Sequence, residues 1–305
     1  MTRLGIWCIY VCIQFMNGGD KMLKIQNISK QLEGFQLYDI NFELPKGYIM
    51  GLIGENGAGK TTLLNLILGL YKPTKGTITI DGMEYENHEK EIKNLLGYVL
   101  VDDIFPGEMT LLENAKMYGK YYENYETSIF LQYCQRLQLV ETKKYKQLSK
   151  GEKLKFQFAF ALSHQPKLLI LDEPTANFDP DFRKEFLSIL AEFVSHGEKS
   201  VLLATHITED LDRIADYVTF LHKGEVKFSM DRKTLEQSYR LVSGEDYKIN
   251  LINKERIIFK EKGKYGSKAL VMHRRFSNYS DGVEVETPSI EDIMYYMLKG
   301  EKSSW

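Results

Sequence analysis

A glycine-rich run between an apolar stretch and a helical pattern limits the possible folds of this chain more than any other feature. The run Gly54–Thr61 (GENGAGKT) follows the apolar stretch 48–53 and precedes the helical pattern 61–70. Its spacing is that of a P-loop, in which small residues let backbone N–H groups approach phosphate groups. A plain glycine-rich turn is the alternative. The strand-to-helix context favours the phosphate-binding loop, because the helix N-terminus adds the positive end of its dipole.

Individual roles follow from positions in this loop. Lys60 is placed to reach the β- and γ-phosphates of a nucleotide, and Thr61 is placed to ligate Mg²⁺. We therefore predict ATP and Mg²⁺ as cofactors. The residues predicted to bind phosphate are Gly54, Glu55, Asn56, Gly57, Ala58, Gly59, Lys60, Thr61 and Thr62.

Two carboxylates lie at the end of a later predicted strand. The apolar run 167–171 ends in Asp172 and Glu173. Solvated acids at a strand end are the simple alternative for such a pair. Beside a P-loop, Asp172 can hold the Mg²⁺ shell through water, and Glu173 can orient and polarise the attacking water. Phosphoryl transfer needs both positioning and charge neutralisation, and these residues supply them.

Strand-like and helical patterns alternate along much of the chain. The segments are 48–53, 61–70, 167–171, 180–193, 201–204 and 208–215. This alternation predicts an α/β fold with a mostly parallel sheet covered by helices. The start of one helix is indicated by two adjacent residues: Asp179 is the predicted N-cap, and Pro180 takes the first helical position. The apolar stripe of that helix comprises Phe182, Phe186, Ile189, Leu190 and Phe193.

A helical insert is predicted between the two halves of this pattern, over about 103–162. It begins with the capping box Thr110-x-x-Glu113. A second capping box, Ser149-x-x-Glu152, lies before a further helical stretch. A capped helix N-terminus can also bind phosphate, so a structural role of Ser149 and a phosphate-binding role are compatible.

Towards the C-terminal end, the alternation of strand and helix patterns gives way to a hairpin, short strands and a final helix. A hairpin is predicted around His222-Lys223-Gly224, followed by short strands at 239–242 and 269–273. A final helix is predicted to start at Thr287-Pro288. Residues 229–305 are therefore expected to form a small α+β extension. The apolar face of its final helix comprises Ile290, Ile293, Met294, Met297 and Leu298.

The first 21 residues differ from the rest. The apolar stretch Leu4–Met16 resembles a signal-peptide core, but Arg3 is the only positive charge before it and no cleavage site follows. It is also shorter than the about 20 residues that span a bilayer. Because Asn17–Lys21 can be encoded by a ribosome-binding sequence, we predict that translation starts at Met22. A membrane-touching segment is the alternative.

Overall charge does not identify a function, and the cysteine content bears only on disulfides and the redox compartment. A formal net charge of -2 provides no global field that attracts nucleic acid or an anionic membrane. The three cysteines, Cys8, Cys12 and Cys134, do not support a disulfide framework. A reducing cytoplasm fits this cysteine usage best.

The motifs together resemble those of ABC (ATP-binding cassette) ATPases. Leu148–Glu152 is similar to the family signature Leu-Ser-Gly-Gly-Gln, with Lys150 and Glu152 replacing a glycine and the glutamine. Leu171–Pro174 and the P-loop fit the same family. The resemblance covers about residues 22–228, and it implies a P-loop NTPase core with an antiparallel β subdomain and the helical insert.

This resemblance implies roles for further residues. Ser149, with Gly151, would contact the γ-phosphate of ATP that the opposite subunit holds. Ala176–Asp179 is similar to the D-loop of the family, and Thr205-His206 is similar to its switch histidine. The predicted catalytic residues are Lys60, Glu173 and His206.

Two positions depart from the family pattern. The Q-loop glutamine should fall near Val101 and is missing. Either Asp102 or Asp103 substitutes for it, or the coupling to the membrane partner differs. The aromatic residue that stacks on adenine should fall near Leu32, which predicts aliphatic packing there, with Phe35 as the alternative.

The resemblance implies an ATP-hydrolysing subunit that energises export through a separate membrane permease. The extension is similar to those of bacterial bacitracin-type exporters, which suggests an antibiotic, a peptide or a lipid-like compound as cargo. The expected assembly is a homodimer or a heterodimer with a second ATPase subunit, peripheral on the cytoplasmic face of the cell membrane. Tyr118–Tyr125 lies where the family docks its permease, although core packing is an equal alternative.

The rival interpretation is a soluble ABC ATPase that acts in regulation or on nucleic acid or the ribosome. Such proteins generally carry two cassettes or a long coiled coil, and the sequence contains neither. The basic clusters at 143–146 and Arg274-Arg275 are short, so we interpret them as solvated surface and expect no nucleic-acid partner.

Overall fold

The computed structural model describes residues 20–100, 104–175, 178–273 and 278–302. Several predictions fall outside these residues: those for Val101, Asp102, Asp103, Ala176, Asn177, Arg274, Arg275 and nearly all of the leader 1–21.

The secondary structure follows the predicted alternation. The strands are β1 (Lys21–Leu32), β2 (Phe35–Pro45), β3 (Ile49–Ile53), β4 (Lys75–Ile80), β5 (Met83–Glu84), β6 (Leu96–Val99), β7 (Leu168–Asp172), β8 (Ser200–Ala204), β9 (Tyr217–His222), β10 (Glu225–Asp231), β11 (Tyr239–Gly244), β12 (Ile257–Lys262), β13 (Ser267–Met272) and β14 (Glu284–Glu286). The helices are α1 (Lys60–Ile67), α2 (Tyr85–Leu95), α3 (Leu111–Gly119), α4 (Thr127–Arg136), α5 (Lys150–Ser163), α6 (Pro180–Val194), α7 (Thr208–Ile214), α8 (Arg232–Ser238), α9 (Asp246–Ile249) and α10 (Ile290–Lys302).

The chain forms two compact units. Of the described residues, the first unit comprises those up to His206 with Asp216–Ser229, and the second comprises Ile207–Ala215 with those from Met230 onward. Helix α7 thus belongs to the second unit, although its sequence lies between strands of the first.

A six-stranded sheet forms the centre of the first unit, in the order β10-β9-β3-β8-β7-β6. Strand β3 pairs in parallel with β8 and β9, and β7 pairs in parallel with β8 and β6. Every residue of β3, β7 and β8 is buried, which is why their sequences are continuous apolar runs. The carboxyl ends of β3, β8 and β7 therefore lie side by side at one edge.

A second sheet in this unit is antiparallel around β1, in the order β2-β1-β4-β5. Leu23 pairs with Leu44, and Ile25 with Phe42, and all four side chains are buried. They join one hydrophobic cluster with Leu64 of α1. The mixed α/β class and the predicted antiparallel subdomain are confirmed.

The helical insert contains α3, α4 and α5. Thr110 caps α3 and Ser149 caps α5, each through the predicted capping box. Aromatic rings fill the interior, where Phe105 and Phe130 pack against Phe156 of α5 at centroid distances of 4.8 and 5.9 Å. These contacts account for the many aromatic residues of the insert.

Helix α6 begins as its sequence predicts. The Asp179 carboxylate accepts a hydrogen bond from the Phe182 N–H at 2.9 Å, and Pro180 follows the cap. Phe178 packs on Phe182 with ring centroids 4.4 Å apart, and Phe186 packs on Phe158 of α5 at 4.7 Å. A chain of rings thus connects the segment before α6 with α5.

The second unit contains an antiparallel sheet in the order β12-β13-β11-β14. Val242, Ile249, Ala269 and Val271 form part of its hydrophobic cluster. Strands β11 and β13 match the predicted segments closely. No helix in the described part of the chain is both long and apolar enough to span a membrane.

The predicted start of the final helix is wrong. Helix α10 begins at Ile290, three residues after Thr287, because Ser289 forms the cap. The Ser289 hydroxyl accepts from the Asp292 N–H at 3.1 Å, and the Asp292 carboxylate accepts from the Ser289 N–H at 3.0 Å. This reciprocal cap outweighs the preference of Pro288 for the first helical position.

Candidate active site

The P-loop joins β3 to α1, and its glycines are required by close contacts. A Cβ atom on Gly54 would lie 2.3 Å from the Leu221 carbonyl oxygen, and one on Gly59 would lie 2.6 Å from the Phe35 ring. Gly57 and Gly59 also have positive φ angles of 80° and 108°. A larger residue would clash at Gly54 and would be strained at the other two.

A tight turn in the β9–β10 hairpin contacts the P-loop through a backbone hydrogen bond. Lys223 and Gly224 both have positive φ, and the Gly224 N–H donates to the Ala58 carbonyl at 3.0 Å. His222 is buried, with its Nδ1 3.4 Å from the Glu55 carboxylate. The sequence indicated the hairpin but gave His222 no role, because nothing local shows which loop a hairpin will contact.

The Lys60 ammonium group lies inside the loop. It donates to the Gly54 carbonyl at 2.8 Å and lies 3.6 Å from Oε1 of Glu173. Only 7% of the Lys60 side chain is exposed. A buried cation held by carbonyl and carboxylate oxygens is placed to exchange those partners for phosphate oxygens.

The two residues predicted at the metal lie together. The Thr61 hydroxyl donates to the Asp172 carboxylate at 3.0 Å, and Asp172 is 6% exposed. Mg²⁺ is usually held by one or two protein groups together with waters and nucleotide phosphates. A hydroxyl beside a buried carboxylate, at the start of α1, fits that pattern.

Glu173 is fixed from three directions. Its N–H donates to the Ala204 carbonyl at 2.9 Å, and its backbone φ is 46°. Its Oε2 accepts from the His206 N–H at 3.1 Å and lies 2.8 Å from His206 Nδ1. The carboxylate therefore lies between the Lys60 ammonium and His206. A non-glycine residue in the left-handed region is uncommon and marks a position that its surroundings over-determine.

Ser149 and Gly151 lie on the helical insert. Within the described residues, Ser149 makes its hydrogen bonds only with its own helix: its hydroxyl accepts from the Glu152 N–H at 3.2 Å, its N–H donates to the Glu152 carboxylate at 2.8 Å, and its carbonyl accepts from Lys153. Gly151 follows in the first turn. The structure thus brings Lys60, Thr61, Asp172, Glu173 and His206 together, and it places Ser149 and Gly151 at a separate helix end.

The two candidates for the adenine contact lie next to each other. Leu32 pairs with Phe35 across the β1–β2 hairpin, and the Phe35 ring lies against Gly59 of the P-loop. Of these two side chains, the aromatic one therefore adjoins the loop, and the aliphatic one is its cross-strand neighbour.

A P-loop between a buried strand and a helix, with adjacent strands ending in a carboxylate pair and a histidine, defines a P-loop nucleoside triphosphatase. The profile of the ABC transporter family matches residues 37–176. The ABC transporter ATP-binding protein YtrB of Bacillus subtilis (strain 168) is 31% identical over 239 residues, which are 78% of this chain and 82% of YtrB. The chain belongs to the ABC transporter family and is one of its ATP-binding subunits.

Further similarities agree with this membership. The bacitracin transport ATP-binding protein BcrA of Bacillus licheniformis is 33% identical over 215 residues, covering 67% of this chain and 68% of BcrA. A solved structure of an ATP binding subunit of an ABC transporter superposes with a TM-score of 0.66 at 27% identity, covering 70% of this chain and 92% of that chain. The predicted family, the ATP cofactor and the ATPase activity are confirmed.

Proposed function

We propose that this chain drives the export of a compound through a separate membrane permease, using ATP hydrolysed at Lys60, Asp172 and Glu173. The observation that carries this proposal is the position of the Glu173 carboxylate, held between a buried ammonium group and His206. The kinship with a bacitracin transport protein supports an antibiotic, a peptide or a lipid-like compound as cargo.

In the proposed mechanism the P-loop residues 54–62 hold the triphosphate. Lys60 leaves the Gly54 carbonyl and contacts the β- and γ-phosphates, and the N–H groups at the start of α1 bind phosphate oxygens. Thr61 would ligate Mg²⁺ directly and Asp172 would do so through water. The metal held by these two residues would supply positive charge to neutralise the phosphates.

Glu173 and His206 act at the γ-phosphate end of the bound nucleotide. Glu173 accepts a hydrogen bond from the attacking water and polarises it. The contact between Glu173 and His206 Nδ1 holds the imidazole in place, so Nε2 is the ring nitrogen that remains for a γ-phosphate oxygen. His206 is about half exposed, which leaves it accessible to the nucleotide.

We propose that the site is completed by a second subunit, identical or different. Ser149 and Gly151 form the N-terminus of α5, which is a second helix end able to bind a γ-phosphate. One ATP between α1 of one subunit and α5 of the other would hold the dimer closed. Hydrolysis removes the γ-phosphate contact and lets the subunits part, a population shift that the permease converts into transport.

The proposed permease contact is an apolar groove of about 780 Å³ in the first unit. Its lining includes Leu70, Tyr118 and Tyr121 with Lys90 and Lys93 at the rim. Leu70 is 62% exposed and Tyr121 is 70% exposed. Large apolar side chains exposed beside a groove are typical of protein interaction sites.

The tyrosine-rich segment 118–125 has two roles in this arrangement. Tyr122 stacks on His164 at 4.0 Å, and Tyr125 packs beside Phe160. Burial lowers the pKa of His164 to about 4, so the stack is uncharged at neutral pH. Part of the segment therefore serves as core, while Tyr121 remains for an apolar segment of the permease.

We propose that residues 22–228 form the ATPase domain and that residues 229–305 form an accessory extension. We propose a location on the cytoplasmic face of the cell membrane, beside the permease.

The lysines of the basic run 143–146 are paired with acidic residues. Lys143 pairs with Glu152, and Lys144 and Lys146 pair with Glu108. This local neutralisation argues against the rival function on nucleic acid.

The test is purification of the tagged protein from native membranes in mild detergent. We expect a membrane-spanning protein without an ATPase domain to co-purify in stoichiometric amount. Tyr121→Asp should lose this partner and keep basal ATP hydrolysis, because a buried carboxylate at the groove is costly. Tyr265→Asp, at an aromatic residue of the second unit that is 88% exposed, is the matched control and should keep the partner. Recovery of ribosomes or nucleic acid instead would favour the soluble alternative.

A further inference from the structure

Helix α5 carries a charged residue at a position where its family has a neutral one. Glu152 stands in place of the signature glutamine and lies in the first turn, three residues after the cap Ser149. Its Oε2 accepts from the Ser149 N–H at 2.8 Å, as a glutamine oxygen could also do. A carboxylate in place of the amide therefore preserves the capping box and adds a negative charge.

The Glu152 carboxylate forms an ion pair with Lys143. Lys143 Nζ donates to Oε1 of Glu152 at 2.9 Å, while Oε2 is occupied by the cap. The hydrogen bond from Lys143, followed by that from the Ser149 backbone, lowers the pKa of Glu152 to about 2. Glu152 is thus ionised throughout the physiological range, and Lys143 is its neutralising partner.

The backbone of Lys143 is fixed by two hydrogen bonds. Its carbonyl accepts from the Leu111 N–H at the start of α3, and its N–H donates to the Val140 carbonyl. The neighbouring lysines face a different acid, since Lys144 and Lys146 both pair with Glu108. Lys143 is therefore set apart from the other lysines of this run by its partner.

We infer that Lys143 is a positioning residue for ATP hydrolysis. Lys143 neutralises Glu152, so that the N-terminus of α5 can approach the γ-phosphate bound by a partner subunit. This inference rests on the shared site proposed above. A carboxylate without a counter-charge, one helical turn from Ser149, would repel the triphosphate and cancel the attraction of the helix dipole. Lys143 removes that repulsion and leaves the cap intact.

An ordinary surface ion pair would be arranged similarly but would act differently. Exposed pairs contribute little to stability, and a purely structural pair would be weakened to the same extent by loss of either partner. The inferred role instead predicts that Lys143→Met is harmful while Glu152 is charged, and that Glu152→Gln alone is less harmful than Lys143→Met because it removes the charge that needs neutralising. A double-mutant cycle separates the two cases.

The experiment compares Lys143→Met in the unaltered protein and in the Glu152→Gln background, with Lys144→Met as the matched control. Two quantities are measured: the rate of ATP hydrolysis at saturating ATP, and ATP-dependent dimerisation of the same variants on a Glu173→Gln background. We expect Lys143→Met alone to lower hydrolysis by about tenfold and to weaken dimerisation, without weakening ATP binding by the monomer. In the Glu152→Gln background the same change should have little effect.

Three outcomes would overturn the inference. The first is a Lys143→Met variant that is no more impaired than Lys144→Met. The second is a Glu152→Gln variant that is as impaired as Lys143→Met, which is the behaviour of a structural pair. The third is an equal loss on Lys143→Met in both backgrounds, which means that Lys143 acts independently of Glu152. Lys143→Gln serves as a second neutral variant if the methionine variant does not fold. Full hydrolysis by a Ser149→Arg variant would instead reject the shared site itself, and with it the basis of this inference.

Discussion

The N-termini of α1 and α5 are both expected to face ATP, yet they are built differently. Gly59 precedes α1 without a side-chain cap, and the first turn of α1 holds no acidic residue. Ser149 caps α5, and Glu152 lies in its first turn. Helix α1 thus offers its N-terminal N–H groups to a ligand, whereas α5 satisfies part of its own through side chains. We therefore expect the N-terminus of α1 to bind a ligand held within the subunit, and the N-terminus of α5 to bind one only when a partner subunit brings it.

The largest expected effect comes from removing the cation at α1. Lys60→Ala should weaken nucleotide binding by about 100-fold or more, because the one side chain aimed at the β- and γ-phosphates is lost. Titration with a fluorescent ATP analogue measures this. Lys46→Ala, which removes a lysine paired with Asp81 at 2.7 Å, should bind normally. Unchanged affinity of the Lys60 variant would place the phosphate site elsewhere.

A smaller effect should separate ATP binding from the chemical step at the site next to α1. Glu173→Gln is expected to bind ATP and to hydrolyse it about 10²-fold more slowly, because the amide keeps the shape but cannot polarise the water. Single-turnover measurements with the purified variant give the rate of the chemical step. If turnover equals that of the unaltered protein, the catalytic role belongs to another residue.

The smallest expected effect is a partial return of ATP hydrolysis in a mixed dimer, which tests whether α1 and α5 of different subunits share one site. A Lys60→Ala subunit and a Ser149→Arg subunit should each be inactive alone. In their mixed dimer both changes fall on one site and the other site is intact, so part of the activity should return.

The mixture needs a control for assembly. Two differently tagged subunits are purified by tandem affinity steps, so that only mixed dimers are assayed, and a mixture of two Lys60→Ala preparations gives the background. Well-formed mixed dimers without any hydrolysis would count against a site shared between subunits.

Features coded within about four residues were predictable from the sequence. The caps at Thr110, Ser149 and Asp179 form as expected, since a short polar side chain and the N–H three residues later suffice. The buried strands were equally clear, because short continuous apolar runs are typical of strands covered on both faces. The start of α10 was misjudged, since Pro288 and Ser289 both carry valid start signals and only the contacts with Asp292 decide between them.

Contacts between distant segments were not predictable. The sequence indicated roles for Lys60, Glu173 and His206 separately, but not that one carboxylate would lie between the other two groups. The ion pair between Lys143 and Glu152 was hidden for the same reason, because a basic run gives no sign of which acid will face it. Such pairings depend on how the sheet and the insert bring loops together.

The strand order also has a consequence for biosynthesis. Strand β3 leads into the P-loop near the start of the chain, yet its neighbours in the sheet are β8 and β9, which are translated much later. Until the ribosome has delivered those strands, the apolar residues Ile49–Ile53 have no partner on either side in their sheet, and such long-range parallel pairing is slow to form. We therefore expect a nascent chain to contain the phosphate-binding loop before it can bind nucleotide, so that acquisition of ATP binding would report the late assembly of the central sheet.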